Sequence, residues 1–352
     1  MTDNLLSEDL DHILSHMEGL WEELRGQRIF ITGGTGFIGC WLLESFAWAN
    51  DRMKLRASAE VLSRNPAAFE KKARHLFRHP AIRFHQGDVR AFSFPVGRYS
   101  HIVHAAVDAD EYLHRNRPME EFEILIYGTK RVLDFARASH ADKFLFLSSG
   151  AVYGKQPLDL SRIPEDYRGA PDSFDPSQRY GIPGEGKRAG EAWCALFAEQ
   201  FGLQAKIARC FTFLGPYLPL DGKFAVGNFI RDGLKGGPIV IAGDGTPCRS
   251  YLYAADLAIW LWTILLKGIS CRPYHVGSEV ETDIRSLATE VADCFPGGLD
   301  VQIRTSSNPT KMRDRYIPST ARASEELHLR QTIPLRDAIL RTIAWHRRRS
   351  YE

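Results

Sequence analysis

Residues 28–39, Arg-Ile-Phe-Ile-Thr-Gly-Gly-Thr-Gly-Phe-Ile-Gly, constrain this chain more than any other stretch. Residues 28–32 are β-branched and aromatic enough for a short buried strand. Gly33, Gly36 and Gly39 follow at three-residue spacing, and residues 40–46 have helical character. Strand, glycine turn and helix in that order form a corner that binds a dinucleotide pyrophosphate. One glycine lets the chain turn tightly, one lets backbone N–H groups approach the phosphates, and one lets helix and strand pack closely. The helix N-terminus adds unpaired donors and partial positive charge.

The rest of the chain supports this reading. Strand-like segments at 60–63, 81–85, 101–106, 144–148 and 205–209 alternate with helical ones at 66–76, 122–139 and 188–201. Such alternation predicts an α/β fold, a Rossmann-type doubly wound parallel sheet with ligands at its strands' carboxyl ends. Beyond residue 211 Gly and Pro become frequent, which predicts a smaller C-terminal substrate-binding lobe. The expected organisation is an N-terminal helical extension over 1–26, a dinucleotide domain over 27–210, and the lobe over 211–352, interleaved with it. In the extension, Leu6, Leu10, Ile13, Met17, Leu20 and Leu24 recur at helical spacing. That stretch is expected to pack on the domain or on a second subunit.

Composition narrows the class. A net charge of +2 gives no argument for nucleic acid or membrane partners, and Arg347–Arg349 reads as a solvated tail. The apolar run 257–266 is too short to span a bilayer and reads as a buried helix. Six cysteines without CxxC or metal spacing read as reduced thiols of a cytoplasmic protein, with no metal site.

Further landmarks follow the glycine loop in order. They are Gly87-Asp88-Val89, His104-Ala105-Ala106, Gly128-Thr129, the run 147–154 (Leu-Ser-Ser-Gly-Ala-Val-Tyr-Gly), Gly186-Lys187-Arg188, the run 214–217, Gly227-Asn228, the run 249–256, and His275-Val276-Gly277. Together they resemble the extended short-chain dehydrogenase/reductase family, in its sugar-nucleotide epimerase and dehydratase group, over roughly residues 27–346. The resemblance implies a tightly held nicotinamide dinucleotide, with Gly33, Thr35, Gly36, Phe37, Ile38 and Gly39 at the pyrophosphate. Asp88 and Val89 would flank the adenine, and Ala105 and Ala106 would line the cofactor channel. Asp88 read alone is also a cap at a strand end.

The choice between NAD and NADP falls after the second strand. A carboxylate there binds ribose hydroxyls and repels a 2′-phosphate. Ser63-Arg64-Asn65 carries none, and an Arg with a hydroxyl attracts such a phosphate, so NADP is expected over NAD. The alternative is a solvated Arg64 with the ribose held by Ser63 or Asn65.

The resemblance implies hydride transfer at a sugar carbon, with a Tyr as base, a Lys that lowers the Tyr pKa, and a Ser or Thr on the same sugar oxygen. Ser149 and Lys187 match the Ser and Lys; Ser148 could substitute for Ser149. The Tyr position, four residues before Lys187, holds Pro183, and the nearest tyrosine is Tyr180. Gly181, Pro183, Gly184 and Gly186 argue against a regular helix there, so a loop or bulge is expected to return Tyr180 to the site. Gly150 and Ala151 stand where dehydratases and related decarboxylases carry an acid, which favours epimerisation or simple redox over elimination.

On the substrate side the resemblance implies a nucleoside diphosphate sugar, with Asn228 and Arg249 on the diphosphate and Arg315 at the nucleotide ribose or phosphate. Phe211-Thr212-Phe213 replaces the family's Asn-containing segment, which leaves sugar contacts there open. A homodimer through helices near 119–139 and 188–201 is implied as well. The expected activity is therefore an NAD(P)-dependent sugar-nucleotide epimerase. The alternatives are a reductase or dehydrogenase, an atypical dehydratase, and a dinucleotide-binding sensor or assembly protein without catalysis.

Overall fold

Unbroken apolar runs, rather than alternating ones, mark strands covered on both faces. In the computed structural model, which describes residues 4–106, 116–174, 181–222, 224–305 and 313–349, those runs form the central sheet. Strands β1 (Arg28–Thr32), β2 (Ser58–Ser63), β3 (Ile82–Gln86), β4 (His101–His104), β5 (Lys143–Ser149) and β6 (Gln204–Cys210) pair in parallel. Their order is β3-β2-β1-β4-β5-β6, with a seventh strand, Pro273–Val276, beside β6. The order reverses between β1 and β4, which sets a ligand crevice at their carboxyl ends.

The chain divides into two compact units. The first comprises residues 1–154, 169–210 and 258–274, and the second residues 155–168, 211–257 and 275–352. The first unit's sheet is filled on one face by Phe30, Phe92, Tyr99 and Phe135, with Phe30 and Phe135 centroids 4.7 Å apart. Trp21 meets Trp262 at 5.4 Å, and the Trp262 indole donates to Ser45 Oγ at 2.9 Å. The apolar run 257–266 lies within helix Ala254–Lys267 and is buried. Among the described residues no helix is long and apolar enough to cross a membrane.

Several helices differ from their sequence outlines. The N-terminal stretch is not one helix but α1 (Ser7–His16) followed by a 3-10 turn at Trp21–Leu24. Gly19 breaks it at φ +82°, and α1 packs on α2 (Phe37–Met53). The helix expected over 66–76 is α3 (Pro66–Lys72) and α4 (Arg74–Phe77), parted at Ala73. The long helix before β5 is α5 (Pro118–Glu123), a π turn at Ile124–Gly128, and α6 (Thr129–Ala138).

The largest correction concerns α7 (Gly181–Phe201), which is helical from Gly181 onward. The glycines and Pro183 do not prevent it. Pro183 lies in the first turn, where its missing N–H would have no helical partner. The glycines are packing sites. A Cβ at Gly184 would lie 2.4 Å from Ala151 O, at Gly186 2.6 Å from Leu125 Cδ1, and at Gly190 2.4 Å from Phe146 Cζ. Close approach of the helix to β5, to the turn after β5 and to the π turn outweighs the propensity cost of ~1 kcal/mol per glycine.

Replacing Gly190 with Ala should destabilise the protein, since overpacking costs ~1–3 kcal/mol against a helix-propensity gain of ~1 kcal/mol. Urea unfolding showing Gly190→Ala as stable as, or more stable than, the parent would contradict this packing account.

Candidate active site

Each glycine of the loop has its own reason. Gly33 sits at φ +70°, and a Cβ there would lie 2.3 Å from Ala105 O. Gly39 crosses Gly33 and Gly34, with a Cβ at 2.3 Å from Gly33 O. Gly36 differs: its Cβ would meet only Gly33 O, at 3.3 Å. Protein packing therefore explains Gly33 and Gly39, whereas Gly36 is exposed and clears space for a ligand. Gly36 caps α2 without a side-chain hydrogen bond, so the amides of Phe37, Ile38 and Gly39 begin an uncapped helix. This cradle fits a dinucleotide pyrophosphate.

A buried polar relay fixes the cradle's far wall. Thr32 and His104, register partners on β1 and β4, lie 2.7 Å apart through Oγ1 and Nδ1. His104 Nε2 lies 3.1 Å from Thr129 Oγ1, whose hydroxyl donates to Leu125 O at 2.6 Å. The Ala106 amide donates to Thr32 Oγ1 at 3.1 Å, and the Ala105 amide to Thr32 O at 3.1 Å. These bonds are mutually consistent with the proton on Nε2. Burial, reinforced by the charge of Lys187, pushes His104 down to about 3, so it stays neutral. The relay pins the backbone of Ala105 and Ala106 beside Gly33. All three residues stand in the sequence landmarks, but nothing in the spacing joined them into one relay.

At the other end of the loop, β2 ends on buried Ser63, followed by exposed Arg64. The Asn65 carboxamide caps α3 by accepting from Ala68 N at 3.2 Å. Asp88 is held by Arg90, whose Nε and Nη2 donate at 2.9 Å while its amide donates at 2.8 Å. The Arg90 guanidinium holds the Asp88 carboxyl below the usual carboxylate range, and Arg64 adds to the effect. Val89 lies where a Cβ on Gly128 would come within 2.9 Å of it.

Ser149 ends β5 and accepts from Ala151 N at 3.1 Å. Ser148 faces the other way, as strand alternation requires, and donates to Glu191 Oε1 at 2.6 Å. It is therefore no substitute for Ser149. Glu191 also takes a bidentate pair from Arg209 at 2.8 and 2.6 Å, and Arg209 reaches the Tyr153 hydroxyl at 2.5 Å. Sequence reading missed this buried cluster.

Lys187 is the seventh residue of α7 and is buried. Its ammonium donates to Leu147 O and lies 4.8 Å from the Phe146 ring centroid. That ties it to β5 two residues before Ser149. Burial pushes the ammonium down to about 7, against the raising influence of Cys210, Glu191 and Cys194. Tyr180 lies outside the described residues. Among the described residues no group of His, Cys, Asp or Glu could hold a metal.

In the second unit, Asn228 donates to Gly222 O at 3.1 Å and accepts from Arg231 at 2.9 Å. Arg249 donates to Cys248 O, Asp314 O and Asp314 Oδ2, the last at 2.6 Å. Arg315 pairs with Glu281 at 3.3 Å. Strand Cys248–Arg249 lies between Thr282–Asp283 and Arg315–Tyr316, with Tyr316 opposite Arg249 and Arg315 opposite Cys248. Alternation along the strands therefore sends the two arginines to opposite faces. Tyr316, on the Arg249 side, packs tilted against Phe211 with ring centroids 4.6 Å apart.

Crevice, glycine cradle and buried lysine together define a nicotinamide-dinucleotide enzyme of the extended short-chain dehydrogenase/reductase type. The chain matches the NAD dependent epimerase/dehydratase family over residues 29–277 and belongs to it. It is 27% identical over 325 residues to UDP-glucuronic acid decarboxylase 1 of Arabidopsis thaliana, covering 92% of this chain and 70% of that one. Its fold is similar to that of UDP-glucose 4-epimerase from Thermotoga maritima, solved with UDP-glucose. The TM-score is 0.77 at 19% identity, covering 93% of this chain and 100% of that one. It is similar, too, to UDP-glucuronic acid 4-epimerase from Bacillus cereus in complex with UDP-glucuronic acid and NAD, with TM-score 0.76, 19% identity, and 92% and 99% covered.

The buried lysine predicts a pH signature. Below pH ~7 it is protonated in both folded and unfolded chains and its burial penalty is full; between ~7 and ~10.5 only the unfolded chain keeps the proton, so stability rises with pH. In protein free of dinucleotide, Lys187→Met should gain most in Tm below pH 7, with its advantage shrinking toward pH 10. An advantage that is constant with pH would refute the depressed lysine.

Proposed function

We propose that this chain is a nucleotide-sugar epimerase that oxidises one sugar carbon and reduces it again within a single turnover. One observation carries the reading: Ser149 and buried Lys187 are both anchored at the end of β5, while Gly150 and Ala151 offer no side-chain acid. Dehydration needs an acid for the departing hydroxyl; epimerisation needs only a base and a hydride acceptor. The bound dinucleotide supplies that acceptor and, once reduced, the returning hydride. Ser149 donates a hydrogen bond to the sugar oxygen. Tyr180 takes the hydroxyl proton, and Lys187 holds the nicotinamide ribose and favours the tyrosinate by its charge. Arg249 and Asn228 bind the diphosphate. For Arg249 the phosphate replaces a contact within its own unit, to Asp314.

A second reading is decarboxylation of a nucleotide-linked uronic acid, favoured by the resemblance to the Arabidopsis thaliana UDP-glucuronic acid decarboxylase. Oxidation at the carbon β to a carboxylate gives a β-keto acid, which loses carbon dioxide without a protein acid. The absence of an acid at 150 and 151 therefore weighs less against decarboxylation than against dehydration.

The dinucleotide is taken preferentially as NADP, because Ser63-Arg64-Asn65 presents a cation and no carboxylate and Asp88 is neutralised by Arg90. Exposed Met119, Tyr127, Leu196 and Phe201 fit a homodimer through the helices that carry them. Six cysteines outside any disulfide fit a cytoplasmic setting.

Incubation with UDP- and dTDP-linked hexoses and uronic acids, read by mass spectrometry and NMR, tests the reaction. A new isomer of unchanged mass is expected; loss of carbon dioxide selects the second reading, and loss of water or a change of two hydrogens rejects both. Ser149→Ala should lower kcat by ~10²–10³-fold with KM changed little. An unaffected kcat would remove Ser149 from the chemistry.

A further inference from the structure

Helix α7 grips the end of β5 at two successive residues. Lys187 takes the Leu147 carbonyl, and Glu191, one turn further on the same helix face, takes the Ser148 hydroxyl at 2.6 Å. The next residue of the strand is Ser149. From the other side β6 brings Arg209, the register partner of Ser148, to both Glu191 oxygens at 2.8 and 2.6 Å. Glu191 thus joins the helix that carries Lys187 to the strand that carries Ser149, at a side chain only 13% exposed.

Its charge matters as much as its bonds. Burial works against the Lys187 ammonium, and the groups that support it are Cys210, Glu191 and Cys194. Burial pushes the Cys210 thiol up to about 12 and lifts that of Cys194 as well, so neither is an anion near neutral pH. His104, on the β4 side, stays neutral. Among the described groups acting on Lys187, the Glu191 carboxylate is therefore the one that supplies negative charge. Without it Lys187 and Arg209 would be two buried cations in one cluster, each opposing the other.

We propose that Glu191 is a positioning residue of this site: its carboxylate keeps Lys187 an ammonium near neutral pH and, through Ser148, fixes the strand end on which Ser149 stands. The inference rests on the role given above to the charge of Lys187. Glu191 itself touches neither sugar nor dinucleotide.

NMR of isotopically labelled lysine in the full-length protein, free of dinucleotide, reports the titration midpoint of Lys187, identified by loss of its signal in Lys187→Met. Glu191→Gln can still accept from Ser148 but lacks the charge, and should move that midpoint about one pH unit toward acid. With a nucleotide sugar that the wild type turns over, kcat of Glu191→Gln should fall about tenfold at pH ~8 and stay within about twofold at pH ~5.5, with KM little changed. Thermal melts establish folding. Where the stranded Arg209 unfolds that variant, Glu191→Gln combined with Arg209→Gln, which buries no unpaired charge, takes its place with the same expected direction. An unchanged Lys187 midpoint overturns the proposal. So does a kcat loss of equal size across pH, which makes Glu191 a strut of β5 only. A lowered midpoint in protein that turns over no nucleotide sugar upholds the hold of Glu191 on Lys187 and overturns the epimerase reading instead.

Discussion

The contact on which the first unit depends is the approach of Gly33 to Ala105, where β1 and β4 deliver their chains into the crevice. A methyl group at residue 33 would sit 2.3 Å from the Ala105 carbonyl oxygen, and the backbone there is left-handed. Only glycine meets both conditions cheaply. Once it is met, β1 and β4 diverge around an open space, α2 begins with unpaired amides facing that space, and Gly39 lets the helix lie on the loop. The Thr32–His104–Thr129 relay then keeps the opposite wall in register. The relay is expensive to leave incomplete, because each buried polar atom lacking its partner costs ~1–3 kcal/mol. It thus acts as a register lock between β1, β4 and α6.

The same economy of small residues governs α7. Gly184, Gly186 and Gly190 let the helix press on the turn after β5, on the π turn and on β5 itself, and Lys187 reaches a strand carbonyl from inside the core. That closeness strips water from Lys187 and lowers its proton affinity. Packing and electrostatics are therefore one decision here: a bulkier helix face would hold the lysine farther out and leave it an ordinary surface cation.

What was legible in the sequence follows from this. The buried strands, the glycine loop and the alternation were readable because each is encoded in consecutive residues with their own periodicity. The start of α7 was not, because local propensity counts glycine and proline against a helix and cannot see Ala151, Leu125 and Phe146 waiting to receive them. Ser149 and Lys187 were legible as motif residues, although the expected strand over 144–148 and helix over 188–201 each stopped one residue short of them. Glu191 was not, since its role depends on a partner 43 residues away. Register also carried information that spacing lacked: Arg249 and Arg315 look alike as basic residues near the end of the chain, yet their strands turn them to opposite faces.

Burial separates the arginines into those that hold the fold and those that are available to a ligand. Arg209 and Glu191 are each only 13% exposed at the side chain and meet through two bonds, with Ser148 and Tyr153 completing the cluster. Breaking such a pair strands a buried charge, so no substrate phosphate can be expected to draw Arg209 away. Arg249 and Asp314 are 27% and 49% exposed. An ion pair that open to water contributes at most ~1 kcal/mol, and its carboxylate can be rehydrated when a more highly charged anion arrives. Asp314 thus keeps the guanidinium extended and oriented at little thermodynamic cost, and a diphosphate, with more charge and more acceptor oxygens, can displace it. By the same reasoning Arg90, bound through three bonds to Asp88, serves mainly to neutralise the carboxylate beside it.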